Sequence, residues 1–153
     1  MGNADLFICK KCGYEFYAAT GIGMLFPSVY KRTVDEIRAG KYREEWKKLL
    51  EEHADAKVNC ESDFYVCEKC GTPKTDLNLS MYLPVHLKKD IPYAMPADLK
   101  NPRKYKLLAE YTHRCDKCNG VCKPVAEHER PILKCPECTG EMQVDISRLM
   151  YWD

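Results

Sequence analysis

The sequence predicts a small α+β protein stabilised by metal, built from two modules of short antiparallel strands, the first carrying a helical hairpin. Three observations predict it. The cysteines recur as four CxxC pairs, Cys9/Cys12, Cys67/Cys70, Cys115/Cys118 and Cys135/Cys138. Short strand-like runs lead into these pairs, and a stretch of helical periodicity separates the first two. A CxxC turn sets two sulfurs on one side of a tight loop. Two such loops face to face make a tetrahedral S4 cage of the kind that holds zinc or, less often, iron. Four pairs in a chain of 153 residues therefore imply two metal sites.

Length and composition bound the rest. The chain suits one ordinary domain or two small ones. Its 24 Lys+Arg balance 23 Asp+Glu, formally +1, and two filled tetrathiolate sites would bring this to about −3. The strongly basic body of a general nucleic-acid binder is absent, so any such surface would be a local patch. Ten cysteines also suit a disulfide framework in a secreted protein. Against that, residues 1–5 carry no basic run, and Leu6-Phe7-Ile8 is far too short for a signal-peptide core. Leu6 also breaks the myristoylation pattern that Gly2 would open. No stretch approaches a membrane span. The reading is a cytoplasmic protein, bacterial in style, with metal-bound thiolates.

The elements follow in order. Leu6-Phe7-Ile8 reads as a strand entering Cys9-Lys-Lys-Cys12-Gly13, and Tyr14-Glu15-Phe16-Tyr17 as the returning strand. Thr20-Gly21-Ile22-Gly23 reads as a turn, its GxG pair lacking the rest of a phosphate loop. Tyr30, Val34 and Ile37 mark a first helix, with Ser28 as N-cap and Gly40 just past its end. Tyr42, Trp46, Leu49 and Leu50 mark a second over residues 41–53, whose other face carries mixed charges suited to solvent. The hairpin thus spans about residues 28–53. Phe64-Tyr65-Val66 leads into Cys67-Glu-Lys-Cys70-Gly71, and Leu77 to Leu83 alternates as a further strand ended by Pro84. Pro84, Pro92, Pro96 and Pro102 punctuate a stretch without periodicity. Tyr105 to His113 enters the third pair, Ile132-Leu133-Lys134 the fourth, and Ile146, Leu149, Met150 and Trp152 suggest a final turn or short helix. The expected division is a first module over 1–84, a linker over 85–104 and a second module over 105–153.

Taking neighbours in sequence as neighbours in space, the first cage uses Cys9, Cys12, Cys67 and Cys70, and the second Cys115, Cys118, Cys135 and Cys138. Residues 119–134 between the last two pairs fall within the CxxC–x15–20–CxxC spacing of a zinc site. The run Cys135-Pro-Glu-Cys138-Thr-Gly-Glu-Met resembles the second knuckle of bacterial zinc ribbons, over about residues 105–145. Cys9-Lys-Lys-Cys12-Gly13-Tyr14-Glu15 resembles a first rubredoxin knuckle, with Cys67-Glu-Lys-Cys70-Gly71 as its match. The chain is thus similar to the zinc-ribbon and rubredoxin-like superfamily and to uncharacterised bacterial zinc-ribbon proteins. This resemblance implies two zinc ions, each on four cysteines, with iron and electron transfer as the alternative at the first site. The helical insertion and Glu68 after Cys67, where proline is common, depart from rubredoxin. Charged residues beside the ligands favour zinc.

Little points to catalysis. No HExxH occurs, and the deaminase pattern fails because Glu129 follows His128 directly and Lys134 precedes Cys135. Paired knuckles describe closed sites, whereas a catalytic zinc keeps an open position. His53, His86, His113 and His128 are scattered; His113 reads as a strand residue and His128 as an exposed one in the connection between knuckles. Cys60 and Cys122 read as buried packing thiols. The expectation is a non-enzymatic zinc protein that binds a protein partner through its helical hairpin or the surface around Tyr14, Tyr17, Phe26 and Tyr30. The alternative is a nucleic-acid adaptor using Lys100, Arg103, Lys104, Lys106, Arg114, Lys117 and Lys123. No membrane and no small-molecule substrate is indicated.

Overall fold

A computed structural model describes residues 2–86, 91–126, 129 and 131–153. In chain order the strands and helices begin β1 (Gly2–Cys9), β2 (Glu15–Thr20), α1 (Phe26–Arg38), α2 (Glu44–Glu52), β3 (Lys57–Val58), β4 (Ser62–Cys67), β5 (Pro73–Leu77) and β6 (Met81–Pro84). They continue with α3 (Pro96–Leu99), β7 (Tyr105–Ala109), β8 (His113–Arg114), β9 (Val121–Pro124), β10 (Leu133–Lys134), β11 (Glu141–Val144) and β12 (Met150–Trp152). This is a small α+β protein with antiparallel strand pairing among the described residues. Among the described residues no helix is long and apolar enough to cross a membrane.

The chain folds as two compact units, both discontinuous. Unit 1 gathers residues 1–23, 62–77 and 112–153; unit 2 gathers 24–61 and 78–111. The division expected at 84 and 105 is therefore not the one contacts make. The described part of the stretch expected to link modules is an integral part of unit 2: Ala94 and Leu99 are buried with Tyr105. Proline there starts α3 instead of breaking structure, since a first helical turn needs no donor from it.

Unit 1 contains two sheets. In the first, β1 is central: β2 runs along one side from Asn3↔Thr20 to Ile8↔Glu15, and the other side takes β11 beside Phe7–Cys9 and β12 beside Gly2–Ala4. β10 then pairs with β11. In the second sheet the order is β5-β4-β9-β8. Phe64 on β4 joins the sheets, its ring 5.6 Å from that of Phe7 and 5.9 Å from that of Phe16, above buried Ala18, Leu133 and Met142. The final apolar positions form a turn and then strand β12, with no helix. Trp152 lies over Gly2 and donates its Nε1–H to the carbonyl of Asn3 at 3.1 Å. A Cβ on Gly2 would stand 2.3 Å from the indole, so this close approach requires glycine.

Unit 2 packs α1 and α2 with the sheet β3-β6-β7. α1 buries Phe26, Tyr30, Thr33 and Ile37, one face at helical spacing. The expected N-cap, Ser28, instead lies inside the helix: with Pro27 and its preset φ in the first turn, the helix caps three residues earlier, at Leu25. Gly40 does end it. At φ +86° it lets its own N–H reach the carbonyl of Ile37 and that of Lys41 reach Glu36, a Schellman closure. α2 buries Trp46 and Leu50, and Trp46 donates to the carbonyl of Leu79 at 2.7 Å. That bond explains a misread strand. The alternating run 77–83 is interrupted at Leu79, fully buried with φ +66°, whose N–H bonds Asn59 while its carbonyl serves Trp46. The chain thereby leaves β5 of unit 1 and begins β6 of unit 2.

Candidate metal centres

All four knuckles share one backbone design. The N–H of the first cysteine bonds a carbonyl five residues on: Cys9 to Tyr14, Cys67 to Thr72, Cys115 to Gly120, Cys135 to Gly140, at 2.7–3.0 Å. The residue after the second cysteine donates back to the carbonyl of the first, and it takes a left-handed φ in each case: Gly13, Gly71, Asn119 and Thr139. That closed turn is what aims both sulfurs the same way.

The knuckles assemble into two groups of four sulfurs. Cys9, Cys12, Cys135 and Cys138 form site 1, and Cys67, Cys70, Cys115 and Cys118 form site 2; within each, the sulfurs all lie within 4.8 Å of one another. Across the knuckles the sulfurs stand 3.5 Å apart for Cys9–Cys138 and 3.6 Å for Cys12–Cys135, and 3.5 Å for Cys67–Cys118 and 3.6 Å for Cys70–Cys115. A disulfide requires about 2.05 Å, so none of these pairs is one. A tetrahedral ion at about 2.3 Å from each sulfur requires sulfurs about 3.8 Å apart. The groups therefore fit a metal ion, and cage size alone does not select zinc over iron.

The eight cysteines in these groups are the ones expected from the sequence to bind metal, but they group differently from the expected pairing of knuckles. The first does not join the second, nor the third the fourth. Site 1 joins the first and last, and site 2 is nested between them. Strand pairing causes this: β1 lies beside β11 with Cys9 opposite Met142, and β4 lies beside β9 with Cys67 opposite Cys122. Two knuckle types are also present. Cys9/Cys12 and Cys67/Cys70 have glycine directly after the second cysteine, whereas Cys115/Cys118 and Cys135/Cys138 have it one residue later. Each site combines one of each. The later glycine sits under its partner knuckle: a Cβ on Gly120 would lie 2.9 Å from Lys69 Cβ and 3.0 Å from Cys67 Sγ. A Cβ on Gly140 would lie 3.2 Å from Lys11 Cβ and 3.3 Å from Cys9 Sγ. Glycine offset is the feature of the sequence that goes with the observed pairing, since each site joins one knuckle of each type.

Electrostatically each cage calls for a cation. The N–H of Cys12 leads in pulling the Cys9 thiol down to about 6. The N–H of Tyr14 favours the Cys12 thiolate, yet burial and three neighbouring sulfurs push that thiol up to about 12. At site 2 the Thr72 hydroxyl leads in pulling Cys70 down to about 6, while Cys118, despite the N–H of Gly120, goes up to about 12. One sulfur thus ionises at the expense of another, and a divalent ion is what lets all four be thiolates together.

The remaining expected groups lie outside the cages. His113, on β8, is 2% exposed, its ring 4.1 Å from that of Tyr65 and its Nδ1 3.7 Å from Asp76 Oδ2. Cys122 is buried opposite His113 and Cys67 on the ladder. Cys60 is buried in unit 2 with its thiol raised to about 12 by burial. His128 lies outside the described residues. The basic set divides: Lys100, Arg103, Lys104 and Lys106 belong to unit 2, and Arg114, Lys117 and Lys123 to unit 1. Lys100 pairs with Glu61 at 2.7 Å, Lys104 with Asp98, and Lys117 donates to the Pro136 carbonyl at 3.1 Å. Sequence reading also missed a cleft of mixed polarity in unit 1, lined by Ala18, Phe64, Leu149, Met150 and Tyr151 together with Asn3, Asp5, Thr20 and Glu129, because distant segments build it. Comparison with protein-family models, with curated proteins and with solved structures finds no match to this chain.

Proposed function

We propose that the chain is a non-catalytic zinc protein of the zinc-ribbon kind, whose two tetracysteine sites frame a surface for a protein partner. One observation carries the metal reading: two separate groups of four sulfurs, each on a pair of closed knuckles, with separations that suit a tetrahedral ion. The chemistry such an ion supplies is structural, since four thiolates from the chain fill its coordination. Zinc is favoured over iron by charged residues beside the ligands, Lys10, Lys11, Glu68, Lys69, Asp116 and Lys117 among them, which do not make a dry redox centre. Thiolate ligation also supports a reducing, cytoplasmic setting.

A protein partner is favoured over nucleic acid by what unit 1 exposes. Ile146, Leu149, Met150 and Tyr151 are 48–71% exposed, three of them lining the cleft of unit 1, while part of the basic set is already held in ion pairs. Elemental analysis of purified protein is expected to find two zinc ions per chain. A colourless protein with that stoichiometry removes the electron-carrier alternative; a red, reversibly reducible one establishes it. Capture of a specific protein from the source cell, lost on Met150→Asp, supports the partner reading. Salt-sensitive retention of DNA or RNA in a mobility-shift series, with no such capture, replaces it by the adaptor reading.

A further inference from the structure

The two cages share a backbone design but differ at three matched positions. We propose that site 1 is an exchangeable metal site that opens at Cys12, whereas site 2 holds its ion permanently. This rests on the metal reading above.

The first difference is access. Cys12 is exposed, while its counterpart Cys70 is half-buried and every other ligand is buried or half-buried. A competing donor can reach Cys12 without prior unfolding. The second is support. The Thr72 hydroxyl stands 3.1 Å from Cys70 Sγ, where it can donate to the thiolate. In the matching position beside Cys12 stands Tyr14, whose ring packs on the apolar core instead.

The third difference is strain. Thr139 of site 1 and Asn119 of site 2 occupy the same left-handed position, at φ +62° and +59°. Asparagine tolerates that region, and a β-branched residue does not. The fourth knuckle, which shares site 1 with Cys12, therefore holds its turn at a cost that the third knuckle does not carry. Access, support and strain point the same way.

The step is a ligand substitution. The Cys12 sulfur gives up its bond to the ion as an incoming thiolate or aminocarboxylate donor forms one, and Cys12 then takes a proton from water. No electron changes hands. The acceptors that fit are small thiols, chelators or the thiolates of another protein.

The test is release from the full-length zinc-loaded protein into excess 4-(2-pyridylazo)resorcinol, followed by absorbance. One equivalent is expected to leave about tenfold or more faster than the second, as the exposure of Cys12 and the strained knuckle act together. Cys12→Ser should abolish the fast equivalent and leave one slowly released zinc, whereas Cys70→Ser should leave the fast one in place. Should a variant fail to fold, iodoacetamide labelling of the unmodified protein serves, with Cys12 expected to be alkylated before any sulfur of site 2. Two equivalents released together, or site 2 sulfurs alkylated first, overturn the inference while leaving the two-zinc reading intact. Fewer than two ions per chain at the outset overturns both.

Discussion

At the scale of single residues, conformation and burial set most of what can be tested. Thr139 takes a left-handed φ that its branched side chain resists, with its hydroxyl bonded to the carbonyl of Cys138 at 2.6 Å. Thr139→Gly is expected to stabilise the metal-loaded protein by a few tenths of a kcal/mol, about 0.3, in thermal or denaturant melts, relieving strain worth slightly more than the lost bond and added chain entropy. Asn119→Gly, at the tolerant counterpart, should change little. In unit 2, burial raises Cys60 to about 12 and likewise Tyr30 to about 12. Folding thus favours their neutral forms. Their contribution is complete below the unfolded values and is lost as pH rises through the interval between about 9 and 12. Melts of the protein are expected to show falling stability above about pH 9, with a shallower decline in Cys60→Ala; an unchanged slope contradicts the assignment for Cys60. Such details were only partly legible. Gly13 and Gly71 announce the turn they occupy, but nothing in the sequence marks Leu79 as left-handed, since its apolar alternation with Leu77 and Met81 argues for a strand.

Among the elements, what decides the cages is how one knuckle lies on another. Gly120 and Gly140 sit where a Cβ would meet the partner knuckle, most tightly at Gly120. Gly120→Ala must push Lys69 and Cys67 Sγ apart, and is expected to weaken metal binding at site 2 at least tenfold in a chelator competition. Gly140→Ala, with contacts of 3.2–3.3 Å, should weaken site 1 by less. Equal losses, or none, would show that the glycine offset does not govern pairing. The helices were legible from their apolar faces, with α1 turned slightly so that Thr33 is buried where Val34 was expected. The boundaries were not, because caps depend on local geometry: Pro27 displaced Ser28, and α2 begins at Glu44 after Arg43 at φ +128°.

For the whole molecule, the two units draw on different sources of stability. Unit 1 holds all eight cage sulfurs and short strands, two to eight residues long, while unit 2 holds both long helices around an apolar core of Phe26, Tyr30, Ile37, Trp46, Leu79 and Met81. Small strand modules bury too little apolar surface to fold without their metal. Removing metal with a strong chelator is therefore expected to disorder unit 1 while the helical signal at 222 nm largely persists. Loss of that signal in parallel would mean that unit 2 does not stand on its own core. The sequence by itself determined the paired cysteines, the knuckle turns and the helical faces, because each is written in residues within a few positions of one another. Only the tertiary structure decided which knuckles meet and where the units divide. Loop closure grows just logarithmically with length, so bringing residue 9 to residue 138 costs little more than bringing it to residue 70. Strand pairing and the seat of one glycine under a partner's sulfur then settle the choice.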